Sequence, residues 1–155
     1  GEFIKGTESW FSLGILKTEE DLEIDDAAYI RRPSDQRVTL GIYFEDHMPN
    51  DPSVRVYLNL LYGSGLPFGP PNNLEYRNQF DGDAYNRLDI GFSKLLNLAP
   101  GKGLKTIWLN AEILNLLGAK NTITYTWIKD LQNRQFAVPN NLSQRFFNVK
   151  IWAEF

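Results

Sequence analysis

The single histidine of the chain lies among the residues best suited to covalent chemistry. His47 follows Asp46 and comes shortly before Asp51 and Ser53. A serine hydrolase needs a histidine that takes the proton of a nucleophilic hydroxyl, an acid that orients the ring, and oxyanion donors. The proline-containing segment 48–53 and the lack of a Gly-x-Ser-x-Gly sequence indicate a solvated turn instead. We therefore expect no catalytic residue and no enzymatic activity.

Two groups of carboxylates could in principle bind Ca²⁺, which takes several oxygen ligands. One is an acidic run and the other is the pair Asp81 and Asp83; the run consists of Glu19, Glu20, Asp21, Glu23, Asp25 and Asp26. Neither has the spacing of an EF-hand loop, and both are typical of solvated loops. The glycine-rich stretches 63–69 and 101–103 do not match a phosphate-binding loop, because no helix follows them. We expect no metal and no cofactor.

The composition narrows the class of protein further. The 155 residues fit one domain, 43% of them are hydrophobic, and none is cysteine. The net charge of −3 provides no basic field for nucleic acid, so we expect no nucleic-acid partner. No run approaches the roughly 18 consecutive apolar residues of a membrane-spanning helix.

The dominant pattern is an alternation of apolar and polar residues with a period of two, which predicts an all-β fold. It is strictest in 147–155, where every second residue is apolar. About six strands are expected, with spans 3–18, 36–46, 53–63, 86–96, 104–128 and 145–155. The fifth segment contains Asn115, Gly118 and Asn121, so it could bend or break into two strands.

The connections between these strands alternate between long and short. Segments 19–35, 64–85 and 129–144 are long, whereas 47–52 and 97–103 are short. In an antiparallel up-and-down meander, consecutive connections lie at opposite ends of the sheet. The three long loops are therefore expected at one end and the tight turns at the other.

The two faces of the predicted strands differ in chemistry. One is apolar, and the other carries charged and amide residues, namely Arg55, Asn59, Asp89, Asn110, Glu112, Asn148, Lys150 and Glu154. Such groups suit a water-filled lumen better than a dry core. A sheet with one apolar and one polar face is typical of a transmembrane β-barrel wall. Two alternatives remain open: a soluble β-sandwich binding module, and a complete small outer-membrane barrel acting as an enzyme or adhesin, which would need at least eight strands.

Several stretches resemble the C-terminal part of TonB-dependent outer-membrane receptors, especially those of Bacteroidetes. The matching stretches are 62–71 (YGSGLPFGPP), 85–94 (YNRLDIGFSK), 111–118 (AEILNLLG), 121–127 (NTITYTW), 135–140 (QFAVPN) and the terminal strand 145–155. The family's Asn-Leu-Phe sequence stands here as Asn115-Leu116-Leu117, which is a mild departure. The order and spacing of these stretches carry the resemblance over most of the chain.

The resemblance implies that residues 1–155 are the last six strands of a 22-stranded barrel whose plug domain is absent from this chain. The short turns would face the periplasm and the long loops would lie outside the cell. The parent protein would import a nutrient, such as a metal chelate, a glycan or a peptide, and this segment alone would perform no transport. Its partners would be outer-membrane lipid, the rest of the barrel with its plug, and, through the absent segments, the TonB complex.

Two sets of residues receive roles from this reading. Phe147, Val149, Ile151, Ala153 and Phe155 resemble the signal that the barrel-assembly machinery reads. Aromatic and arginine residues of the long loops are candidate ligand contacts, since both types are common in recognition surfaces; these are Tyr29, Arg31, Arg32, Phe68, Tyr76, Arg77, Arg134 and Phe136. The two outermost strands leave free edges, so we also expect edge-to-edge association between copies.

Overall fold

The computed structural model describes residues 8–21, 29–71, 73, 75–97, 105–142 and 144–154. These residues form twelve β-strands, and no helix long and apolar enough to cross a membrane occurs in those ranges. The strands are Glu8–Ile15 (β1), Glu19–Asp21 (β2), Tyr29–Arg31 (β3), Val38–Met48 (β4), Asp51–Gly63 (β5), Pro67–Phe68 (β6), Phe80–Asp81 (β7), Tyr85–Asn97 (β8), Thr106–Leu114 (β9), Thr122–Lys129 (β10), Gln135–Asn141 (β11) and Phe146–Glu154 (β12).

Six of these strands form one antiparallel sheet in the order β1-β4-β5-β8-β9-β12. Since spatial neighbours are also successive long strands of the chain, the sheet is an up-and-down meander, as the alternation predicted. The other six strands are short or peripheral and pair as two-stranded ribbons, β2-β3, β6-β7 and β10-β11. All three ribbons lie in the long connections, which leave and re-enter the sheet at the same end of its strands.

The register places the two predicted faces on opposite sides of the sheet. Arg55, Ser93, Asn110 and Lys150 are successive cross-strand partners and form one polar row. The adjacent row is Val56, Phe92, Ala111 and Val149, and it is apolar. Because neighbouring rows point to opposite faces, this pairing confirms that the sheet has one polar and one apolar surface.

No apolar side chain among the described residues of the six-stranded sheet is fully buried. Ile30 is the only buried hydrophobic residue among those described. On the apolar face, Phe92 is 49% exposed, Val149 73% and Ile151 70%. A sheet that folds without a second layer therefore presents a continuous apolar surface.

The polar face contains a row of stacked rings above a glycine. The ring centroids of Trp10 and Tyr43 are 6.0 Å apart, and those of Tyr43 and Tyr57 are 6.1 Å apart. The Tyr57 ring covers Gly91, where an added Cβ would lie 2.0 Å from Cε1 of the tyrosine. The glycine thus leaves room for a ring that lies flat across the neighbouring strand.

The two short turns differ in how much of them the structure describes. Between β4 and β5 only residues 49–50 remain outside the strands, so this turn is tighter than the predicted 47–52. His47 belongs to β4, is exposed, and pairs with Arg55 of β5. The predicted turn at 97–103 falls mainly on residues outside those described, as do Glu23, Asp25, Asp26 and Phe155.

The fifth predicted segment breaks into two strands that belong to different sheets. β9 ends at Leu114, and Asn115 and Gly118 adopt the left-handed conformation, with φ of 53° and 66°. The side chain of Asn115 closes the turn, since Oδ1 accepts from Ala119 N at 3.1 Å and Nδ2 donates to Ala119 O at 2.9 Å. Asparagine and glycine tolerate this conformation better than other residues, so the chain leaves the sheet here.

A second asparagine ties the departing chain to the sheet. Asn121 Oδ1 accepts from Asn86 N at 2.8 Å, and its Nδ2 donates to Asn86 O at 3.0 Å. The buried side-chain amide therefore takes the place of one rung of backbone pairing beside β8. Beyond it, β10 and β11 form a hairpin within the third long connection, which runs over 115–145 rather than 129–144.

Candidate functional site

The three long connections meet in one structured assembly at one end of the strands of the sheet. We call it the loop cluster: the described residues of 16–37, 64–84 and 115–145. Its first and second members are joined by ion pairs, and its second and third by stacked aromatic rings. These side-chain contacts join segments that are far apart in the sequence. They fix the positions of the loops relative to one another.

A buried aspartate organises the first connection. The side chain of Asp35 is fully buried and receives Thr18 N at 2.7 Å and Arg31 Nε at 2.9 Å. Arg37 Nε lies 2.8 Å from the same carboxylate. Burial alone would raise the pKa of Asp35, but the Thr18 N–H and the two guanidinium groups outweigh it, and the pKa lies below its ordinary value. Asp35 is therefore an ionised anchor.

The second connection is attached to the first through arginine–carboxylate pairs. Arg31 Nη1 donates to Asp81 Oδ1 at 2.5 Å, and Asp81 raises the pKa of the guanidinium group. Glu20 joins Arg77 Nη2 at 2.7 Å and Arg32 Nε at 3.3 Å. The arginines of this region are thus bound by carboxylates of the protein itself.

Aromatic rings join the second connection to the hairpin. The rings of Phe68 and Tyr125 are stacked, with centroids 4.0 Å apart and planes inclined by 14°. Trp127 lies 6.2 Å from Phe68 at an angle of 39°, and Phe80 lies 5.7 Å from it on β7. Tyr76 continues the series by stacking on Phe80 at 6.4 Å. Phe68 is the centre of this aromatic group.

A cavity of about 310 Å³ opens between the three connections. Its wall combines aromatic and proline side chains with an amide, a carboxylate and hydroxyl groups; among its lining residues are Pro33, Pro67, Phe68, Asn78, Asp83, Thr122, Thr124, Tyr125 and Trp127. A few polar groups within an otherwise apolar and aromatic wall are typical of sites for small molecules. We call it the loop cavity.

A second concave region lies on the polar face of the sheet. Arg55 is placed over the Trp108 ring at 5.3 Å from its centroid and donates to Glu45 Oε1 at 3.3 Å. Tyr43 Oη donates to Glu45 Oε2 at 2.5 Å, and Trp152 is the cross-strand partner of Trp108. The two tryptophans lie on the polar face of the sheet. The charges here are paired within the protein, so the region has water-compatible walls without a free cation or anion among these residues.

The eight predicted ligand contacts fall into three groups. Arg31, Arg32 and Arg77 come together, but they are engaged by the carboxylates described above. Phe68 lines the loop cavity, and Tyr76 extends its aromatic group. The remaining three do not line the loop cavity. Tyr29 is 71% exposed, and Arg134 and Phe136 lie together at the hairpin end, with Arg134 Cζ 6.0 Å from the Phe136 centroid.

Sequence reasoning missed several residues that build the site. Tyr125 and Trp127 belong to the predicted strand segment 104–128, whose alternating pattern continues beyond β9. The series Asn115, Gly118 and Asn121 predicts that this segment bends or breaks, but it does not predict that the second part leaves the sheet. Asp35 had no signal in the sequence, since its partners are fixed only by the fold.

The acidic run that could in principle bind Ca²⁺ lies only partly within the described residues. Glu19, Glu20 and Asp21 of the acidic run are described, and Glu20 is bound by two arginines. Across the described ranges, no group of three or more histidine, aspartate or glutamate side chains is placed to hold a metal ion.

Comparison with known proteins found no family, no curated protein and no solved structure that matches the chain.

Proposed function

We propose that this chain forms part of the wall and the outer loops of a TonB-dependent receptor of the bacterial outer membrane. The receptor would take up a nutrient such as a metal chelate, a glycan or a peptide. The observation that carries the proposal is an antiparallel meander with one polar and one apolar face, whose three long connections contact one another at one end of the strands. Outer-membrane barrels have this arrangement, with short turns on one side and longer loops on the other.

The apolar face supports a location in lipid. The six strands of the sheet are 8 to 13 residues long, and a tilted strand needs about 9–11 residues to cross the hydrocarbon core. Exposed apolar side chains such as Phe92 and Ile151 would contact acyl chains. In water the same surface would favour association or aggregation.

The polar face supports a wet interior. Several of its charged groups occur as pairs, including Arg87 Nε with Asp89 Oδ1 at 2.8 Å and Lys150 Nζ with Glu112 Oε1 at 2.5 Å. Paired and partly hydrated charges are compatible with the inside of a barrel, where other parts of the receptor and water would meet them. The loop cluster would then lie outside the cell, where a ligand arrives.

The terminal strand β12 supports contact with the barrel-assembly machinery. Phe147, Val149 and Ile151 are exposed on the apolar face, and Ala153 shares it. These four described members of the predicted signal keep the expected alternation. In this proposal the same residues face lipid once assembly is complete.

The membrane role can be tested by single-cysteine labelling, because the chain contains no cysteine. We would prepare Leu58→Cys and Leu60→Cys on the apolar face and Asn59→Cys on the polar face, each carrying an environment-sensitive fluorophore. After reconstitution in phosphatidylcholine bilayers, lipids with nitroxide groups on their acyl chains should quench the fluorophores at 58 and 60 but not the one at 59. Thr124→Cys in the hairpin is the control outside the bilayer.

Two results would contradict the proposal. One is a chain that remains in solution when vesicles are floated on a density gradient. The other is equal lipid quenching at positions 58, 59 and 60, since only opposite faces of a bilayer-spanning strand produce alternation.

A further inference from the structure

We infer that the loop cavity binds a neutral saccharide of one or two rings. The first argument is the aromatic wall. Phe68 and Tyr125 form a parallel stack, and Trp127 is tilted by 39° relative to Phe68. The C–H faces of a sugar ring are apolar and pack against aromatic rings, which lose little conformational entropy because they have few rotatable bonds.

The second argument is the set of polar groups beside these rings. Asp83 is exposed and lines the cavity. The Thr122 hydroxyl has one proton, and it lies 2.8 Å from Asn141 Oδ1 but 3.3 Å from Asp83 Oδ2, so the Asp83 carboxylate keeps acceptor capacity for a ligand. The Thr124 hydroxyl accepts from Asn140 Nδ2 at 3.0 Å and keeps its own proton to donate. Asn78 adds its amide oxygen, since its Nδ2 is bound to Arg31 O. Hydroxyl groups of a sugar both donate and accept, so a mixed rim of this kind matches them.

The third argument is the charge of the site. An anionic ligand would need a cation that is free to pair with it. The arginines of the first two connections are instead held by Asp35, Asp81 and Glu20. The carboxylate of Asp83 adds negative charge at the cavity itself. This arrangement favours a neutral ligand over a carboxylate-rich chelate or an acidic peptide.

The fourth argument is that the cavity exists before any ligand arrives. Asn78 Nδ2 donates to Arg31 O at 2.7 Å, which fixes the second connection against the first. Asp83 N donates to Tyr125 Oη at 3.4 Å, which fixes it against the hairpin. A preformed site saves the ordering cost that a mobile loop would incur on binding. The volume of about 310 Å³ is at the lower end of ligand sites and excludes long oligomers from full enclosure.

This inference rests on the proposed function for its biological meaning, because it names the class of nutrient that the outer loops would receive. The binding event itself needs only the loop cluster. The membrane test and the sugar test can therefore fail separately.

Binding can be measured on the full chain by saturation-transfer difference NMR and tryptophan fluorescence. The protein would be held in lauryldimethylamine oxide, a detergent without a sugar headgroup. The probes are maltose, cellobiose and N,N′-diacetylchitobiose, with citrate and decaproline as an anionic and a peptide competitor. We expect at least one disaccharide to bind with a Kd of about 1 mM or tighter.

Variants locate the site. Phe68→Ala should weaken binding roughly tenfold because it removes the central ring. Phe92→Ala, which removes an exposed ring of the apolar sheet face outside the cavity, should leave the Kd unchanged. Asp83→Ala should weaken binding about fivefold; since Asp83 is exposed, this variant keeps its fold and decides the matter if Phe68→Ala does not fold.

The inference is overturned if none of the three disaccharides binds, if binding is insensitive to Asp83→Ala, or if citrate or decaproline binds the cavity more tightly. A chain that enters bilayers as proposed but ignores the sugars refutes only the sugar assignment. A chain that binds sugar but stays out of bilayers refutes only the membrane role.

Discussion

Asp35→Asn is the substitution whose effect can be worked out most fully from the structure. The carboxylate accepts hydrogen bonds from Thr18 N at 2.7 Å and Arg31 Nε at 2.9 Å, and it forms an ion pair with Arg37, whose Nε lies 2.8 Å away. Asparagine keeps an oxygen for one of them but removes the charge that attracts both guanidinium groups. A hydrogen bond to a charged group contributes about 1.5–3 kcal/mol.

The magnitude has to be discounted for hydration of the arginines. The side chain of Arg37 is 38% exposed and that of Arg31 is 22% exposed, so both regain water when the carboxylate is lost. We therefore expect the free energy of opening the first connection to fall by about 2–3 kcal/mol, which is roughly a 30- to 150-fold change in the opening equilibrium.

Hydrogen exchange measured by mass spectrometry would detect this change locally. Peptides from 16–21 and 29–37 should exchange faster in Asp35→Asn, whereas peptides from β5 and β8 should not change. The matched control is Asp130→Asn, because Asp130 likewise binds both backbone and guanidinium donors, namely Gln132 N, Arg134 N and Arg134 Nε. Asp130 lies at the hairpin end, so its effect should remain there.

Two outcomes would refute the reasoning. If exchange in 16–21 and 29–37 were unchanged, Asp35 would not hold the connection. If β5 and β8 loosened equally, the aspartate would stabilise the whole sheet rather than the loop cluster.

Three further expectations concern the same assembly. Because the folded-state pKa of Asp35 is lowered, its stabilisation is complete above its ordinary value of 3.8 and is lost as the pH falls through the lower folded value; exchange of the loop cluster, corrected for intrinsic rates, should show a midpoint below 3.8, and one above it would be contrary. Gly65→Ala should lower the thermal midpoint, since an added Cβ would lie 1.9 Å from the backbone oxygen of Gly82, an overlap that no side-chain rotation relieves; an unchanged midpoint would contradict this. Asn121→Ala should reduce the free energy of unfolding by about 2–3 kcal/mol, because it leaves the backbone N–H and C=O of Asn86 without their partners; denaturant titration would measure it, and a loss below about 0.5 kcal/mol would count against it.

Local patterns predicted the sheet because each strand is specified by its own residues. The alternation in 147–155 is visible without knowing its neighbour, and the fold pairs Phe147–Ala153 with β9 in that phase. The same pattern predicted the number of strands in the sheet and their antiparallel order. The alternation of loop lengths predicted that the long connections lie at one end of the strands. The larger barrel and its function stay a proposal.

The loop cluster could not be predicted, because it depends on contacts between distant residues. Arg77 and Glu20 are 57 positions apart, and Asn78 lies 47 positions from Arg31. The hairpin was misplaced for a different reason. Its residues alternate as the strands of the wall do, and only the left-handed turn at Asn115 and Gly118 separates it from β9. Period two reports that a residue lies in a strand but not to which sheet the strand belongs.

The even number of strands in the meander has a consequence for how it can grow. Its outer members, β1 and β12, run in opposite directions, and each has one sheet neighbour among the described residues. An additional strand that pairs antiparallel with β1 or with β12 would extend both the apolar and the polar face. The long connections would all remain at the same end of the strands. Growth by pairs of strands therefore leaves the polarity of the whole surface intact, whereas an odd count would force one parallel seam at closure.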